Sequence, residues 1–299
     1  MAVKNMAASV LARLRNQARQ EGISYQIGLQ LFIQEEFLRK LSRSEYKKNL
    51  VLKGGMFIYT LTAFESRPTR DMDFLMQCTS NDIEDVKRIM SEICLIKTEN
   101  DFVDIEVLGT KQITLEKKYP GVSTKLLGHI SNVRVPFSID LGIDDVIVPK
   151  ANIRKITTRL EGFSEPEIFV YSLESTIAEK FDAIAQRMET TSRMKDFYDI
   201  YYLSKMFDFD GSILKEAVSQ TSSHRERTLD KDIFDRIEKF TENNFLVTQW
   251  KAFEPAKNIG IPFETVISEL IAFLKPIISA VIENKEFTEK WICKDGKWK

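Results

Sequence analysis

The segment from Val51 to Met76 constrains this chain most. It places a glycine pair, Gly54-Gly55, directly after the short run Leu50-Val51-Leu52-Lys53, and it places Asp71-Met72-Asp73 at the head of Phe74-Leu75-Met76. The pattern predicts a strand over about 49–53, a turn at the glycines, a short helix over Met56–Ala63 and a strand starting near Asp71. Glycines at a helix N-terminus let backbone N–H groups come close to an anion. In a strand, side chains alternate, so Asp71 and Asp73 share one face while Met72, Phe74 and Met76 take the other. Two carboxylates on one face repel unless a cation lies between them. Magnesium takes one or two carboxylates together with substrate phosphates, and phosphoryl and nucleotidyl transfer use it in that way. Alone, Asp-x-Asp most often marks a solvated strand end, and Gly-Gly most often marks a tight turn. The joined order is far more specific. It is neither a P-loop nor a Rossmann fingerprint, because neither Gly-Lys-Ser/Thr nor Gly-x-Gly-x-x-Gly is present.

The other elements fall around this segment. Helices are expected over 3–20 and 24–43, with Ile27, Leu31, Phe32, Phe37 and Leu38 on the buried side of the second. Asn81 is the expected N-cap of a helix running to about Cys94. Period-two runs predict strands over 102–111, 112–118, 122–129 and 133–141, and 149–170 reads as a mixed connector. Helices then fill 173–189, 193–207, 211–220, 228–243 and 263–284, with Pro276 as a kink. The expected fold is α+β. A mixed α/β domain spans 1–165, and an all-helical domain spans 166–299. A chain of 299 residues is long enough for both.

Composition excludes several classes. With 43 basic and 44 acidic residues the net charge is −1, so nucleic-acid contact requires a local patch. The three cysteines, Cys78, Cys94 and Cys293, lack metal-ligand spacing and fit a reducing compartment. The two histidines leave no His-rich zinc site; His129 reads as structural and His224 as solvated. No apolar run approaches a membrane span of ~20 residues, and the N-terminus lacks a signal pattern, so a cytoplasmic protein is expected.

Further candidates lie outside the glycine segment. The run Val135–Leu141 reads as a strand carrying Asp140, the candidate third carboxylate, whereas Asp144 and Asp145 read as solvated. On the helix from Ser172, Lys180 and Arg187 are seven apart and point the same way, at the edge of an apolar stripe of Leu173, Ile177, Phe181, Ile184 and Met188. Such cations either snorkel to water or aim at an anion. Glu179 and Asp182 are assigned to the wet side. Asp196 and Asp199 share a face near the next helix's start. They either complement its dipole, worth about 0.3–1 kcal/mol each, or hold Lys180 or Arg187, or complete a metal and base arrangement. The tail Trp291–Lys299 mixes aromatics with cations, as single-strand contacts do, but reads more simply as a frayed terminus.

Four blocks occur in order: Leu52-Lys53-Gly54-Gly55, Arg67-Pro68-Thr69-Arg70-Asp71-Met72-Asp73-Phe74, Tyr171 to Lys180, and Lys195-Asp196-Phe197-Tyr198-Asp199. Over about 25–275 the chain resembles the AbiEii family of bacterial toxins, including the MenT group, within the polymerase-β-like nucleotidyltransferases. It departs in the 15 residues between Gly55 and Asp71, and in Gly55 itself, where many relatives carry Ser. The resemblance implies a nucleotidyltransferase-like α/β domain whose active-site cleft is completed by the helical domain. It implies transfer of NMP from an NTP to RNA, at the tRNA 3′ end, with Mg2+ or Mn2+ and release of pyrophosphate. A co-encoded antitoxin is implied as partner, and a monomer is expected. Carried over by residue, Asp71 and Asp73 hold the metal, and Gly54, Gly55 and Thr69 cradle the triphosphate. Lys180 holds phosphate charge, Asp196 is the catalytic carboxylate of the helical domain, and Arg187 and Asp199 support it. The alternatives are an enzyme that nucleotidylates protein, and a non-catalytic relative that binds nucleic acid or a partner.

Overall fold

The computed structural model describes residues 5–113, 120–253 and 260–299. It consists of two compact units, Met1–Asp144 with Asn152–Tyr171, and Asp145–Ala151 with Ser172–Lys299.

The first unit opens with α1 (Met6–Gln20) and α2 (Tyr25–Arg43). Ser24 caps α2, its hydroxyl accepting from the Ile27 N–H at 3.3 Å. Then come β1 (Leu50–Lys53), α3 (Gly54–Leu61), β2 (Met72–Met76) and α4 (Ile83–Leu95). The cap of α4 is Asp82 rather than Asn81, because the Asp82 carboxylate accepts from the Glu84 N–H at 2.9 Å. A meander follows: β3 (Val103–Ile113), β4 (Gly121–Ile130) and β5 (Val133–Ile143). Of the strand expected over 112–118, the first two residues end β3, and 114–118 lie outside the described residues.

The connector at 149–170 holds two strands that were not expected, β6 (Asn152–Lys155) and β7 (Glu167–Val170). Each is four residues long, too short for periodicity to show, and each exists through pairing. β7 runs parallel to β1 with Leu52 opposite Val170, and β6 forms the antiparallel edge beyond it. The sheet order is β3-β4-β5-β2-β1-β7-β6, with β1 and β2 near the middle.

Helix α2 is not the one-sided amphipath its spacing suggests. Every residue from Gly28 to Leu41 is buried, including Glu35, Glu36, Arg39 and Lys40. Charges are tolerated there because they are ion-paired or, as with the Lys40 ammonium donating to the Ile96 carbonyl at 2.6 Å, hydrogen-bonded. The Arg39 guanidinium meets Glu35 at 3.3 Å and Glu36 at 3.0 Å, and its Nε donates to the Ser164 carbonyl at 2.8 Å. Glu35 also accepts from the Arg159 N–H at 3.1 Å. Burial pushes the Glu35 carboxyl up to about 7 despite the opposing pull of Arg39 and Arg159. Between the ordinary value near 4.5 and about 7 the folded chain keeps a proton that the unfolded chain has lost. Stability therefore falls as pH rises through that window, by roughly 3 kcal/mol in all. The melting temperature should drop by roughly 5–10 °C from pH 4.5 to pH 7.5. Thermal melts of Glu35→Gln should fall less over the same range. An equal slope in the variant would remove Glu35 as the cause.

The second unit is mainly helical: α5 (Leu173–Arg187), α6 (Met194–Met206), α7 (Gly211–His224), α8 (Ile233–Glu238), α9 (Asn244–Phe253) and α10 (Phe263–Ile282). Among the described residues α10 is long and apolar enough to cross a membrane, contrary to the expectation that no run approaches that length. Its apolar side, including Leu270, Phe273 and Ile277, is buried, and the helix packs against α6, α7 and α8. It continues through Pro276.

The unit adds a small sheet, β8 (Phe209–Asp210), β9 (Lys290–Ile292) and β10 (Lys297–Trp298), in the order β10-β9-β8. The tail is thus not frayed. Trp291 is fully buried, its ring 4.9 Å from that of Phe273, and its indole N–H donates to the Ser204 carbonyl at 2.7 Å. Trp298 stacks on Phe273 at 5.7 Å. The tail's aromatics serve packing.

Candidate active site

Strand register builds the first half of the site. Lys53 on β1 lies opposite Asp73 on β2, Asp73 opposite Asp140 on β5, and Asp140 opposite Ser123 on β4. Directly paired residues share a sheet face at a Cβ spacing of ~5 Å, so these four form one polar row across four strands. The row is anchored at one end, where Ser123 Oγ donates to Asp140 Oδ1 at 2.6 Å. At the other end the Lys53 ammonium lies 5.0 Å from the Tyr171 ring centroid. Asp71 precedes β2 and is exposed, and Asp73 is half-buried beside buried Met72 and Phe74.

The glycine pair is fitted to this row. Gly54 has φ +68°, a conformation that glycine adopts without a Cβ penalty. A Cβ on Gly54 would meet a carboxylate oxygen of Asp73 and lie 3.0 Å from its Cγ. A Cβ on Gly55 would lie 3.0 Å from Thr69 Oγ1 and 3.4 Å from Arg67 Nη2. The N-terminus of α3 therefore faces a carboxylate, a hydroxyl and a guanidinium with no side chain intervening. That combination suits a triphosphate carrying a divalent cation: N–H groups and guanidinium for phosphate, carboxylate for metal.

Among the described residues no three His, Cys, Asp or Glu side chains converge as a ready metal cage. Magnesium does not require one, since one or two carboxylates plus phosphate oxygens complete its shell. Asp73, adjacent to Asp140 and filling the space at Gly54, fits that mode. Sequence reading gave Arg67 no role. Its cationic side chain so close before the aspartate pair was the available signal.

The helical unit holds a second constellation. Lys180 on α5 is buried, and its ammonium meets Asp199 Oδ2 at 2.6 Å and Asp196 Oδ1 at 3.2 Å, both carboxylates on α6 and both 1% exposed. The Arg193 Nε donates to the other Asp196 oxygen at 2.5 Å. Burial works to raise the Asp196 carboxyl, but Lys180 and Arg193 hold it below its ordinary value, so it is ionised. Of the two readings for Lys180, snorkelling is overturned and an anionic partner is found. Arg187, by contrast, is exposed.

Asp182 departs from its expected wet side. It is 4% exposed and meets Arg225 at 2.9 Å and also Arg227. Asp145, expected to be solvated, meets the same Arg225 at 3.0 Å. Helical phase alone could not show this, because both arginines come from the turn after α7. His129 meets Glu106 across the β3–β4 pair at 3.0 Å, a surface structural contact.

A strand, a helix opened by a glycine pair and a strand headed by an aspartate pair make the order expected of a nucleotidyltransferase core. The profile of the family described as "Nucleotidyl transferase AbiEii toxin, Type IV TA system" matches residues 36–263. The chain belongs to this family and is a nucleotidyltransferase. Membership brings with it an NTP substrate, the divalent metal the family generally uses, and a cognate antitoxin. No curated protein sequence matches the chain. Among solved structures, it resembles MenT4, a nucleotidyltransferase toxin of Mycobacterium tuberculosis, at 14% identity and TM-score 0.57, over 92% of this chain and 99% of that one. It also resembles a protein of Helicobacter pylori described as a nucleotidyltransferase, at 15% identity and TM-score 0.51, over 89% of this chain and all of the other. At such identities the likeness is one of fold.

Proposed function

We propose that the protein transfers NMP from an NTP to an RNA acceptor, the 3′ end of tRNA, and so arrests translation until its antitoxin intervenes. The observation that carries the reading is the Asp73 carboxylate lying where a Gly54 side chain would be, at the N-terminus of α3. Asp71 and Asp73 hold the nucleotide's metal, with Asp140 as a neighbouring carboxylate. The N–H groups of Gly54 and Gly55, the Thr69 hydroxyl and the Arg67 guanidinium bind and orient phosphate oxygens. Mg2+, when bound, supplies charge neutralisation on the triphosphate. The acceptor hydroxyl oxygen forms its bond to the α-phosphorus as the bond to the β-bridging oxygen breaks. Pyrophosphate leaves, and the hydroxyl proton is released. By the family resemblance, Lys180 and Asp196 act in the same reaction, Lys180 on the phosphate charge that grows as the bond breaks, with Arg187 and Asp199 in support.

Incubating the purified protein with each α-labelled NTP, Mg2+ and a mixture of total RNA and total protein tests the acceptor class. Label should enter tRNA-sized RNA with one NTP preferred. Label confined to protein would overturn the RNA assignment in favour of protein nucleotidylation. Tight RNA binding without any label transfer would point to a binding relative.

A further inference from the structure

Two buried amides on α2 converge on the backbone immediately before the aspartate pair. Gln30 Nε2 donates to the Arg70 carbonyl at 2.8 Å, and Gln34 Nε2 donates to the same oxygen at 2.9 Å. Residues four apart stack on one helix face, so both reach a single point. A carbonyl oxygen has two lone pairs, and here both are used. Gln30 is 9% exposed and Gln34 fully buried. The Gln34 side-chain oxygen has no hydrogen-bond partner among the described residues. A glutamine kept in the core with one end unsatisfied is a poor choice for stability alone.

The geometry gives this clamp a consequence at Asp71. The peptide unit is planar, so fixing the Arg70 carbonyl also fixes the plane that ends at the Asp71 Cα. On the far side, Thr69 Oγ1 donates to the Asp71 carbonyl at 3.4 Å, which tethers the next peptide. Both backbone torsions of Asp71 are thereby restrained, and with them the direction of its carboxylate, although the side chain itself is exposed. The platform is firm. The Ile33 side chain occupies the space above Gly128, where a Cβ would come within 2.5 Å of it, and Phe37 meets Phe74 of β2 with ring centroids 6.2 Å apart.

We infer that Gln30 and Gln34 are positioning residues for the Asp71–Asp73 pair, locking the Arg70–Asp71 peptide so that Asp71 is aimed at the nucleotide's divalent cation. This rests on the proposed role of Asp71 and Asp73. Neither glutamine touches the metal or nucleotide in this account.

The test measures Mn2+ binding by water-proton relaxation, with Mn2+ alone and with each α,β-methylene NTP, alongside thermal melts and label transfer. Gln30→Met/Gln34→Met keeps side-chain length and removes both donors. It should melt cooperatively yet bind Mn2+ at least tenfold more weakly and lose kcat more than NTP affinity. In Gln34→Glu the new carboxylate faces the Arg70 carbonyl, so Mn2+ binding should be weak at pH 8 and recover towards pH 5.5, where the acid can donate. A folded double variant with wild-type Mn2+ affinity and kcat would overturn the clamp. Should the double variant not fold, Gln30→Met alone should weaken Mn2+ binding about threefold, and unchanged binding would overturn the clamp equally. Asp71→Ala, run in parallel, separates the two ideas. If it binds Mn2+ like the wild type, the site reading fails. If it loses Mn2+ while the glutamine variants do not, only the clamp fails.

Discussion

Gly54→Ala should reduce nucleotidyl transfer at least 100-fold while leaving the protein folded. Two costs fall on the new methyl group. At φ +68° an L side chain is strained by about 1–2 kcal/mol. Beyond that, the methyl would occupy the place of an Asp73 carboxylate oxygen, so the carboxylate has to turn out of the polar row. Strain alone should lower the melting temperature by only about 2–8 °C; displacement of Asp73 removes a proposed metal ligand. Gly22→Ala is the matched control, because Gly22 has φ +67° with nothing within 4 Å of a Cβ. Both variants should show a similar stability loss in thermal melts, and only Gly54→Ala should lose activity in steady-state transfer assays. Equal activity in the two would mean that Asp73 does not need its present place.

Lys180→Met should destabilise the helical unit by about 3–5 kcal/mol, because it takes away the cation that meets two buried carboxylates. Asp199 loses its 2.6 Å contact, whereas Asp196 keeps Arg193. Adding Asp199→Asn removes one of the two carboxylate charges that Lys180 meets, so Lys180→Met/Asp199→Asn should regain part of the lost stability in chemical denaturation. Transfer should not recover with it if Lys180 acts on phosphate. Recovery of both together would assign Lys180 to folding alone.

The most local features were legible in the sequence. Period-two alternation placed Asp73, whereas Asp71, expected on the same strand face, lies just before β2, outside the alternation; the absence of side chains at Gly54 and Gly55 marked the close approach the structure contains. The strand carrying Asp140 was also readable, although its register against Asp73 was not, since register depends on pairing between strands distant in sequence. Lys180 shows the limit. Its helical phase allowed water or an anion, and the choice rested on two carboxylates from another helix. Asp182 and Asp145 looked wet because their partners Arg225 and Arg227 lie some 40 to 80 residues away in the chain. Helix α2 misled in the same way, its charged residues suggesting an exposed face that Arg39 and its partners instead bury. Strands β6 and β7 are too short to signal themselves and form only against the existing sheet. The closing Trp291 and Trp298 looked like a loose tail until Phe273 supplied a surface to pack on.

The most direct measurement of the central claim compares transfer from α-labelled and γ-labelled NTP by the wild-type protein and by Asp71→Ala. The account predicts α-label in the acceptor, γ-label released in pyrophosphate, and neither event with Asp71→Ala. Transfer of the γ-label to the acceptor, or undiminished α-label transfer by Asp71→Ala, would contradict it.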